Sequence, residues 1–404
     1  MTARRSLLLI TERFAPELGG VARSAERTAR ALCKLGFDVH VVAWTRLLMP
    51  GELQSLDLIP NLETETSEDE TAATGSLTVH RVGLFANWDR TLQHTLNVLE
   101  WLHGEVGFKA VWGHYLHPAG FLAVMFAGLV GVPSTVSARG NDVDRLMFPP
   151  GDFARLLWTL DRASVVTAVS RELLHKVEVV LGRKPLSVVL PNVVVADVFS
   201  PSGDVAELAS LRQRLGIDDA EAVLGFCGEL RHKKGMPFLL TALVEVRREQ
   251  SACLLVIGDV RPHERAAISA FALEQPESAS RILVTGHLEA PAEVAQHLRL
   301  CDVVLQPSVW DGLPNALLEA MSCERVVIGS DAGGIAEVIE HGISGFVIPK
   351  AHLHRLGEAV REVLGLTVEE RRIIGQAARQ RMLSDFAPKS ESARLCETLA
   401  LLEL

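Results

Sequence analysis

Several features that mark other classes of protein are missing from this chain of 404 residues. Its six cysteines are scattered and none forms a C-x-x-C pair, so buried, reduced thiols of a cytosolic protein are expected. There is no excess of basic residues either. The formal net charge is −10, which argues against a nucleic-acid partner.

Long hydrophobic runs are also absent. The apolar run at residues 7–10 is too short for a signal peptide. The most apolar segment, residues 119–132, falls short of the roughly 20 residues that a membrane-spanning helix needs, and it predicts a buried helix that ends at Gly131. Neither half of the chain contains G-x-G-x-x-G, which excludes an NAD-dependent dehydrogenase.

What the chain does contain is a regular alternation of strands and helices. The continuous apolar run at residues 6–11 predicts a strand buried on both faces, and an amphipathic helix over residues 21–35 follows it. The pattern restarts near residue 200. We therefore predict an α/β protein with an N-terminal domain over 1–200, a second domain over 201–380 and a C-terminal helix over 381–404.

One segment departs from this alternation. Residues 52–76 contain seven acidic side chains and no lysine or arginine. We interpret this segment as a solvated insertion, with a lid over an active site as the alternative.

Polar side chains follow one predicted strand after another. The carboxyl ends of parallel strands meet at one edge of a sheet, where ligands bind in open α/β folds. His114 and His117 lie at such a position in the first half. A structural histidine is the plainer interpretation of each, and a contact to a substrate is the alternative, which is stronger for His114.

Residues 306–340 carry the clearest ligand-binding pattern. A predicted strand leads into a polar turn and then into a helix predicted to begin at Pro314, whose fixed φ suits that position. A second helix is predicted directly after Gly333 and Gly334. Two helix N-termini beside neighbouring strand ends would offer free N–H groups and positive dipole ends, which suit phosphate.

Charged side chains around this stretch indicate the rest of the ligand. Asp311, Glu319 and Glu337 lie beside the predicted phosphate sites, and because carboxylates repel phosphate they are better interpreted as acceptors for neutral hydroxyl groups. A basic loop, residues 231–234, can neutralise a diphosphate leaving group. Phosphate and hydroxyl groups in one site indicate a sugar nucleotide.

In these motifs the chain resembles the glycosyltransferases of the large retaining family, family four by sequence class, that includes glycogen, sucrose-phosphate and bacterial mannosyl transferases. The matching motifs are P-x-x-G-G at Pro16–Gly20, G-x-D at Gly140–Asp142, P-N at Pro191–Asn192, K-G at Lys234–Gly235, E-x₇-E followed by E-A-M at Asp311–Met321, D-x-G-G-x-x-E at Asp331–Glu337 and G-x-x-G-x-x-x-P at Gly342–Pro349. The resemblance implies a GT-B fold, in which two Rossmann-like parallel-sheet domains face each other across a deep cleft and the C-terminal helix crosses back to the N-terminal domain.

The resemblance also implies roles for individual residues. Glu319 would hold the nucleotide ribose, Asp311 would accept from the donor sugar, and Lys234 and Arg231 would serve the leaving group. Further donor contacts would come from Gly19, Gly20, Gly228, Gly258, Gly286, His287, Leu288, Leu313, Asn315 and Ala316. Candidates for the acceptor or the donor sugar are His114, Arg139, Asn141 and Asp142.

Some positions depart from the family pattern. Asp311 is one methylene shorter than the family's glutamate, and Glu229 stands where an arginine should bind phosphate. Arg231, two residues later, is the expected substitute. Arg139 replaces a histidine. The remaining departures are Val193 and Val195 in the linker and Glu324–Val326 after the E-A-M helix.

The function expected from the resemblance is retaining transfer of a sugar from a UDP- or GDP-sugar to a hydroxyl acceptor, as in polysaccharide biosynthesis. The acceptor could be a saccharide, a lipid-linked glycan or a small molecule. The reaction would use front-face attack, with no metal and no cofactor besides the nucleotide-sugar donor, so Asp142-Val143-Asp144 is interpreted as structural or acceptor-facing. The expected location is the cytoplasm, and peripheral contact with the inner face of the membrane stays open.

Two alternatives remain. Glu229 and Arg139 would fit a sugar-nucleotide-binding protein with a weakened catalytic site, although Lys234, Asp311 and Glu319 count against it. Another GT-B enzyme, such as a sugar phosphorylase or an epimerase, is the second alternative.

Overall fold

The alternating pattern of the sequence forms two α/β units. The computed structural model describes residues 5–17, 19–58, 74–140 and 142–404. The first unit comprises Met1–Pro191 and Ser392–Leu404, and the second comprises Asn192–Glu391. The sequence placed these divisions at residues 200 and 380, so the units in the structure divide about ten residues away from each predicted boundary.

The first unit is built on an eight-stranded sheet. Its strands are β1 (Ser6–Thr11), β2 (Asp38–Thr45), β3 (Leu53–Leu58), β4 (Leu77–Gly83), β5 (Ala110–His114), β6 (Ser134–Ala138), β7 (Val165–Ala168) and β8 (Ser187–Val189). Their order across the sheet is β3-β4-β2-β1-β5-β6-β7-β8, and only the edge pair β3–β4 is antiparallel among the described strands. The central strands are continuous apolar runs because helices cover both faces of a parallel sheet.

Helices cover this sheet and end at expected signals. They are α1 (Gly20–Lys34), α2 (Trp88–Val106), α3 (Phe121–Val130), α4 (Asp142–Leu146), α5 (Pro150–Arg162) and α6 (Arg171–Leu181). Gly131 ends α3 in the left-handed conformation, as a helix C-terminus favours, and this confirms the helix predicted from the apolar segment. Among the described residues, no helix combines the length and the apolar character that crossing a membrane requires.

The C-terminus completes the core of the first unit. The last helix, α16 (Pro388–Leu401), begins in the second unit and continues into the first. Leu395, Leu399 and Leu402 are buried in a cluster with residues of β1, α1 and β2. Residues about 200 positions downstream therefore fill the core of the first unit.

The second unit has a six-stranded sheet in which every described pair is parallel. Its strands are β9 (Ala222–Cys227), β10 (Ala252–Ile257), β11 (Ile282–Val284), β12 (Val303–Gln306), β13 (Val327–Ser330) and β14 (Phe346–Ile348). The order is β11-β10-β9-β12-β13-β14. The loops after β9, β10, β11 and β12 therefore meet at one carboxyl edge, the edge where the sequence placed the donor site.

One predicted helix of the second unit is only a single turn long. The helices of this unit are α7 (Val205–Arg214), α8 (Met236–Arg247), α9 (Arg265–Glu274), α10 (Pro276–Ala279), α11 (Pro291–Leu300), α12 (Asn315–Ser322), α13 (Ile335–Val338), α14 (Leu356–Gly365) and α15 (Val368–Asp385). The helix predicted after Gly334 is a single turn, because Ile339 is already extended. One turn has a weaker dipole than a longer helix, and phosphate binding at this N-terminus stays a prediction.

The acidic segment begins with a strand. Its first residues form β3, which pairs along β4 as an exposed edge strand, so this part is solvated as predicted but belongs to the sheet. Charged and polar side chains suit a solvent-facing edge, where they discourage pairing with other chains. Residues 59–73, which carry most of its acidic side chains, lie outside the described residues.

Candidate functional site

The candidate donor site is built on two adjoining loops of the second unit. One loop, residues 228–235, follows β9, and the other, residues 307–314, follows β12. The N–H of Val309 donates to the carbonyl of Lys233 at 2.8 Å and links the two loops. A Cβ atom on Gly235 would lie 2.0 Å from the carbonyl oxygen of Pro307, so only glycine allows this approach.

A buried ion pair lies at the junction of these loops. The ammonium group of Lys234 contacts Oδ2 of Asp311, and their side chains are only 18% and 13% exposed. Asp311 also accepts from the hydroxyl of Ser308 at 3.1 Å and from the N–H of Gly312 at 3.0 Å. Burial opposes its charge, but Lys234, Lys233 and Ser308 outweigh burial and hold the pKa of Asp311 below its usual value. The carboxylate is therefore ionised at neutral pH.

The turn at Gly333 holds this carboxylate loop from the other side. The N–H of Gly334 donates to the carbonyl of Gly312 at 2.6 Å. A Cβ atom on Gly333 would lie 2.3 Å from the carbonyl oxygen of Asp311, and its φ of 56° is in the left-handed region. The D-x-G-G motif thus fixes the backbone that carries Asp311.

Helix α12 begins beside the ion pair. Pro314 is extended, with φ −70° and ψ 128°, and precedes the first helical residue rather than occupying that position as predicted. No side chain caps this N-terminus, so its first N–H groups are not used by a cap. Asn315 and Glu319 are four residues apart and share one face of the helix. Oδ1 of Asn315 is buried without a hydrogen-bond partner among the described residues, and the side chain of Glu319 is buried.

The arginine expected to replace the family's phosphate-binding residue is held by the glutamate that displaced it. Nη2 of Arg231 lies 2.5 Å from Oε2 of Glu229, and Nε of Arg261 lies 4.0 Å from Oε1 of the same carboxylate. Glu229 therefore ties the β9 loop to the β10 loop. Burial lowers the pKa of Lys233, which lies near Lys234 and Arg231.

Three glycines predicted to contact the donor lie after neighbouring strands. Gly228, Gly258 and Gly286 all have left-handed φ angles, of 124°, 137° and 76°. Gly258 packs so closely on Gly228 that a Cβ atom would lie 2.5 Å from the carbonyl oxygen of Gly228. His287 is exposed and Leu288 is half-buried. Leu313 is buried, and its carbonyl accepts from Nδ2 of Asn192 at 2.6 Å.

In the first unit, Gly19 and Gly20 begin α1. Gly19 has φ 128°, and the helix N-terminus has neither a side-chain cap nor an acidic residue in its first turn. Both glycines are exposed. The uncapped N–H groups suit the anionic ligand that the resemblance implies at this position.

His114 lies at the end of β5, inside the first unit. Its side chain is fully buried, and Nε2 lies 2.8 Å from Oγ of Ser24 on α1. Burial holds the pKa of His114 well below its usual value, and the nearby charges of Arg139 and Arg27 act in the same direction. Through Nε2 the neutral imidazole joins α1 to β5, which supports the structural interpretation. Its Nδ1 is buried without a hydrogen-bond partner among the described residues, so a contact to a substrate stays a prediction.

Asp142, a candidate contact to the acceptor or the donor sugar, closes a turn in the first unit. It is fully buried and accepts from the backbone N–H groups of Arg139 and Gly140, both at 3.1 Å. The carboxylate therefore closes the turn after β6, which supports the structural interpretation of Asp142-Val143-Asp144. Arg139 is half-buried beside it, and Asn141 lies outside the described residues.

Residues that the sequence reasoning missed include Ser308 and Ser24. Ser308 follows β12 by two residues, so its position after a strand could have indicated it. Ser24 gave no such signal, because its partner lies 90 residues away. No group of three or more His, Cys, Asp or Glu side chains suited to a metal ion occurs in the described part of the chain.

Comparisons with known proteins agree with this geometry. Residues 19–193 match the model of the glycosyl transferase 4-like domain, and residues 221–365 match that of glycosyl transferases group 1. The alpha-D-kanosaminyltransferase of Streptomyces kanamyceticus is 29% identical over 48% of this chain and 47% of its own length. The N-acetyl-alpha-D-glucosaminyl L-malate synthase of Bacillus anthracis is 26% identical over 68% of this chain and 69% of its own length.

A solved structure supports the fold. Anabaena HepE, crystallised in complex with UDP, superposes with a TM-score of 0.76 at 17% identity and covers 98% of this chain and 99% of HepE. The two matched ranges and the shared fold extend over both units. The chain belongs to the GT-B glycosyltransferases of group 1, the family four type.

Proposed function

We propose that this protein transfers a sugar from a nucleoside-diphosphate sugar to a hydroxyl group of an acceptor, with retention of the anomeric configuration. The observation that carries the proposal is the Lys234–Asp311 ion pair beside the uncapped start of α12. It places a cation, N–H donors and a carboxylate together at the carboxyl edge of a parallel sheet. A diphosphate needs the first two groups, and a sugar hydroxyl needs the third.

Each part of the donor has a complementary group. Glu319 accepts from the ribose hydroxyls, and the N–H groups near Leu313, Asn315 and Ala316 donate to the diphosphate. Lys234 and Arg231 neutralise the leaving group, while Asp311 accepts from a hydroxyl of the sugar. The unsatisfied Oδ1 of Asn315 supplies a further acceptor on the same helix face as Glu319.

The reaction breaks the bond between the anomeric carbon and the β-phosphate oxygen. The acceptor oxygen forms the new bond on the same face, and its proton passes to the departing diphosphate. Lys234 stabilises the charge that develops on that oxygen, and a preorganised cation is most effective for this task in a partly buried site. Each charge-assisted hydrogen bond contributes about 1.5–3 kcal/mol.

The base of the donor is proposed as uracil, with guanine next. A structural relative crystallised with UDP supports uracil. The loops at Gly258 and Gly286–Leu288, which lie after neighbouring strands of the sheet, are proposed to contact the base. We propose a metal-independent reaction, so activity is expected to persist in EDTA. Loss in EDTA with recovery in Mg²⁺ or Mn²⁺ would contradict this.

The first test is a thermal-shift screen with UDP, GDP, ADP and their sugar conjugates. A ligand at 100 times its Kd stabilises a protein by about 2.7 kcal/mol. One nucleotide should raise the melting temperature, and its sugar conjugates should give graded shifts. If none of the nucleotides shifts the melt, the donor site is refuted.

Product analysis separates the remaining activities. A transferase gives a glycosylated acceptor and a free nucleoside diphosphate. A phosphorylase would accept inorganic phosphate in place of the acceptor, and an epimerase would change the donor sugar without releasing the nucleotide. A binding protein with a weakened site, which the Arg231–Glu229 pair would favour, would bind the nucleotide without turnover.

A further inference from the structure

A separate pocket opens at the carboxyl edge of the first unit, between the segments that follow β2 and β4. It is a cavity of about 310 Å³, lined by Arg46, Leu84, Phe85, Ala86 and Trp88. The volume lies at the lower end for small-molecule sites, which suits a single ring with its substituents. None of these residues belongs to the donor site described above.

The walls of this pocket are held in place. The ring of Trp88 packs edge-on against Trp44, with centroids 5.2 Å apart and an interplanar angle of 86°. The ring of Phe85 packs in the same manner on His94, at 5.6 Å. The N–H of Leu84 donates to the carbonyl of Thr45 at 3.0 Å and joins the two segments.

Glycine and threonine residues add to this support. A Cβ atom on Gly51 would lie 2.9 Å from Cζ of Phe85, so a glycine lets that segment close against the ring. The N–H of Phe85 donates to Oγ1 of Thr91 at 3.1 Å, which fixes the segment at the start of α2. The pocket is therefore preformed rather than a chance gap between mobile side chains.

Among the described residues that line the pocket, Arg46 supplies the one charged group, a guanidinium. Arg46 is exposed, and its side chain forms no hydrogen bond or ion pair with the rest of the described chain. Two carboxylates that are close in sequence to the pocket residues have other partners: Glu52 accepts from the N–H of Met49, and Asp89 lies 3.8 Å from Arg155. A guanidinium next to aromatic walls matches a ligand that combines an anionic group with an apolar ring face.

We propose that this pocket binds the acceptor, and that the acceptor is a hydroxyl-bearing ring with an anionic substituent, a phosphate or a carboxylate. Arg46 binds the anion, and Trp88 and Phe85 contact the ring. The assignment rests on the proposed function, which it narrows by naming the class of acceptor. An unpartnered cation on a chain of net charge −10 is consistent with a dedicated anion contact.

The anionic ring has two possible sources, a free sugar derivative or a lipid headgroup. Leu47 and Met49 beside the pocket are 83% and 73% exposed, so an acyl chain would find apolar neighbours there. The probes are therefore glucose 6-phosphate, glucuronate and neutral glucose in solution, and vesicles of phosphatidylcholine with and without phosphatidylinositol. Preferential binding of the anionic sugars or of the phosphatidylinositol vesicles supports the assignment of the pocket. The kind of probe that binds, a soluble sugar or a vesicle, identifies the source of the anionic ring.

Binding is measured with the full chain by calorimetry or vesicle sedimentation, for the wild type, Arg46→Gln, Arg46→Lys and Trp88→Leu. The matched control is Arg90→Gln, an exposed arginine of the same region that does not line the pocket. Arg46→Gln should weaken binding of the anionic probe about tenfold or more, since one charge-assisted contact is lost. Arg46→Lys should retain part of it, Trp88→Leu should lose affinity for all ring probes, and Arg90→Gln should match the wild type.

The same samples are titrated with UDP, so that the two proposals fail separately. UDP binding should be unchanged in every pocket variant. Lack of binding by every anionic probe, equal binding of glucose and glucose 6-phosphate, or equal losses in Arg46→Gln and Arg90→Gln would overturn the pocket assignment while leaving the donor site intact. Anion binding without any nucleotide binding would refute the transferase instead.

Discussion

The carboxyl edges of the two sheets use charge in opposite ways. At the edge of the second unit, charged groups are paired with one another: Lys234 with Asp311, and Arg231 with Glu229. At the edge of the first unit, two buried groups have no ionic partner among the described residues. His114 is neutral, and Asp142 is bound by backbone N–H groups.

This difference indicates which unit is specialised for a single kind of ligand. Charged groups that are paired with one another have fixed positions. Such an arrangement suits the diphosphate, a group that every donor of this type contains. An edge built from neutral, structural contacts leaves Arg46 available for a group that varies from one acceptor to another. The motifs that reveal the family accordingly fall more densely in the second unit.

The largest expected effect comes from removing the ammonium group of Lys234 in the second unit. Lys234→Ala should lower kcat about a hundredfold and change donor affinity far less, because the ammonium group acts mainly on charge that develops in the transition state. Steady-state kinetics with the donor varied would measure both. A loss of donor affinity with an unchanged kcat would show that Lys234 contributes only to binding of the ground state.

A double variant separates catalysis from stability in that experiment. Lys234→Ala leaves the buried Asp311 carboxylate without its ammonium partner, which destabilises the protein. Adding Asp311→Asn should restore part of the melting temperature and none of the rate. Recovery of the rate would mean that the single variant had failed through misfolding.

Removing Glu319 should give the next largest effect. Glu319→Ala is expected to weaken donor binding at least tenfold, because about two hydrogen bonds to the ribose are lost at roughly 1 kcal/mol each. Calorimetry with UDP and the donor KM would measure it. Glu362→Ala, at an exposed position of α14, serves as the helix control. An unchanged donor KM would refute the ribose assignment.

A smaller loss should follow from disturbing the backbone under the ion pair. Gly333 and Gly216 have similar φ angles, 56° and 63°, but a Cβ atom meets the carbonyl of Asp311 only at Gly333 and open space at Gly216. Both alanine variants bear the left-handed strain of about 1–2 kcal/mol. Only Gly333→Ala should also lose donor affinity, by several-fold. Equal UDP affinity in the two variants would contradict the role of the D-x-G-G turn.

The smallest effect concerns the neutral edge of the first unit. The folded-state pKa of His114 lies below its unfolded value, so the unfolded chain binds a proton first as the pH falls. This contribution to stability is complete above about pH 6.5 and declines below it. His40 and His80 act in the same direction, since burial lowers both of their pKa values, that of His80 to about 4.

The measurement is the melting temperature of His114→Asn between pH 7.5 and 5. The variant should be less stable at neutral pH, because Ser24 loses its hydrogen bond to the imidazole, and its stability should fall less steeply as the pH is lowered. His175→Asn, at an exposed histidine, should reproduce the wild-type slope. An unchanged slope in His114→Asn would mean that the imidazole is not buried in solution.

The sequence predicted these two edges unequally well. The sequence identified Asp311, Lys234 and Gly333 because they lie in loops that follow clearly apolar strands. The neighbours on which their roles depend lie in adjacent loops of the same sheet edge. For His114 the sequence left a structural role and a substrate contact open, since its burial depends on Ser24, which lies on a helix that the local pattern could not place against β5. Asp142 gave the same difficulty, because a carboxylate that closes a turn and one that faces a ligand look alike in sequence.

Secondary structure was missed where local patterns are degenerate. Ile335–Val338 has the composition of a helix start, but the chain turns to extended conformation at Ile339 after one turn. Leu53–Leu58 alternates leucine with polar residues within an acidic segment, and pairing with β4 decides that it is a strand. In both cases a tertiary contact outweighed the local preference.

The division of α16 between the two units has a consequence for how the protein is made. Leu395, Leu399 and Leu402 complete the core of the unit whose strands are synthesised first. At 5–20 residues per second, a ribosome needs roughly 10–40 s to make the intervening second unit. During that time the apolar surface of the first unit that these three leucines cover is exposed on the growing chain. The domain that begins to fold first is thus the one that finishes last.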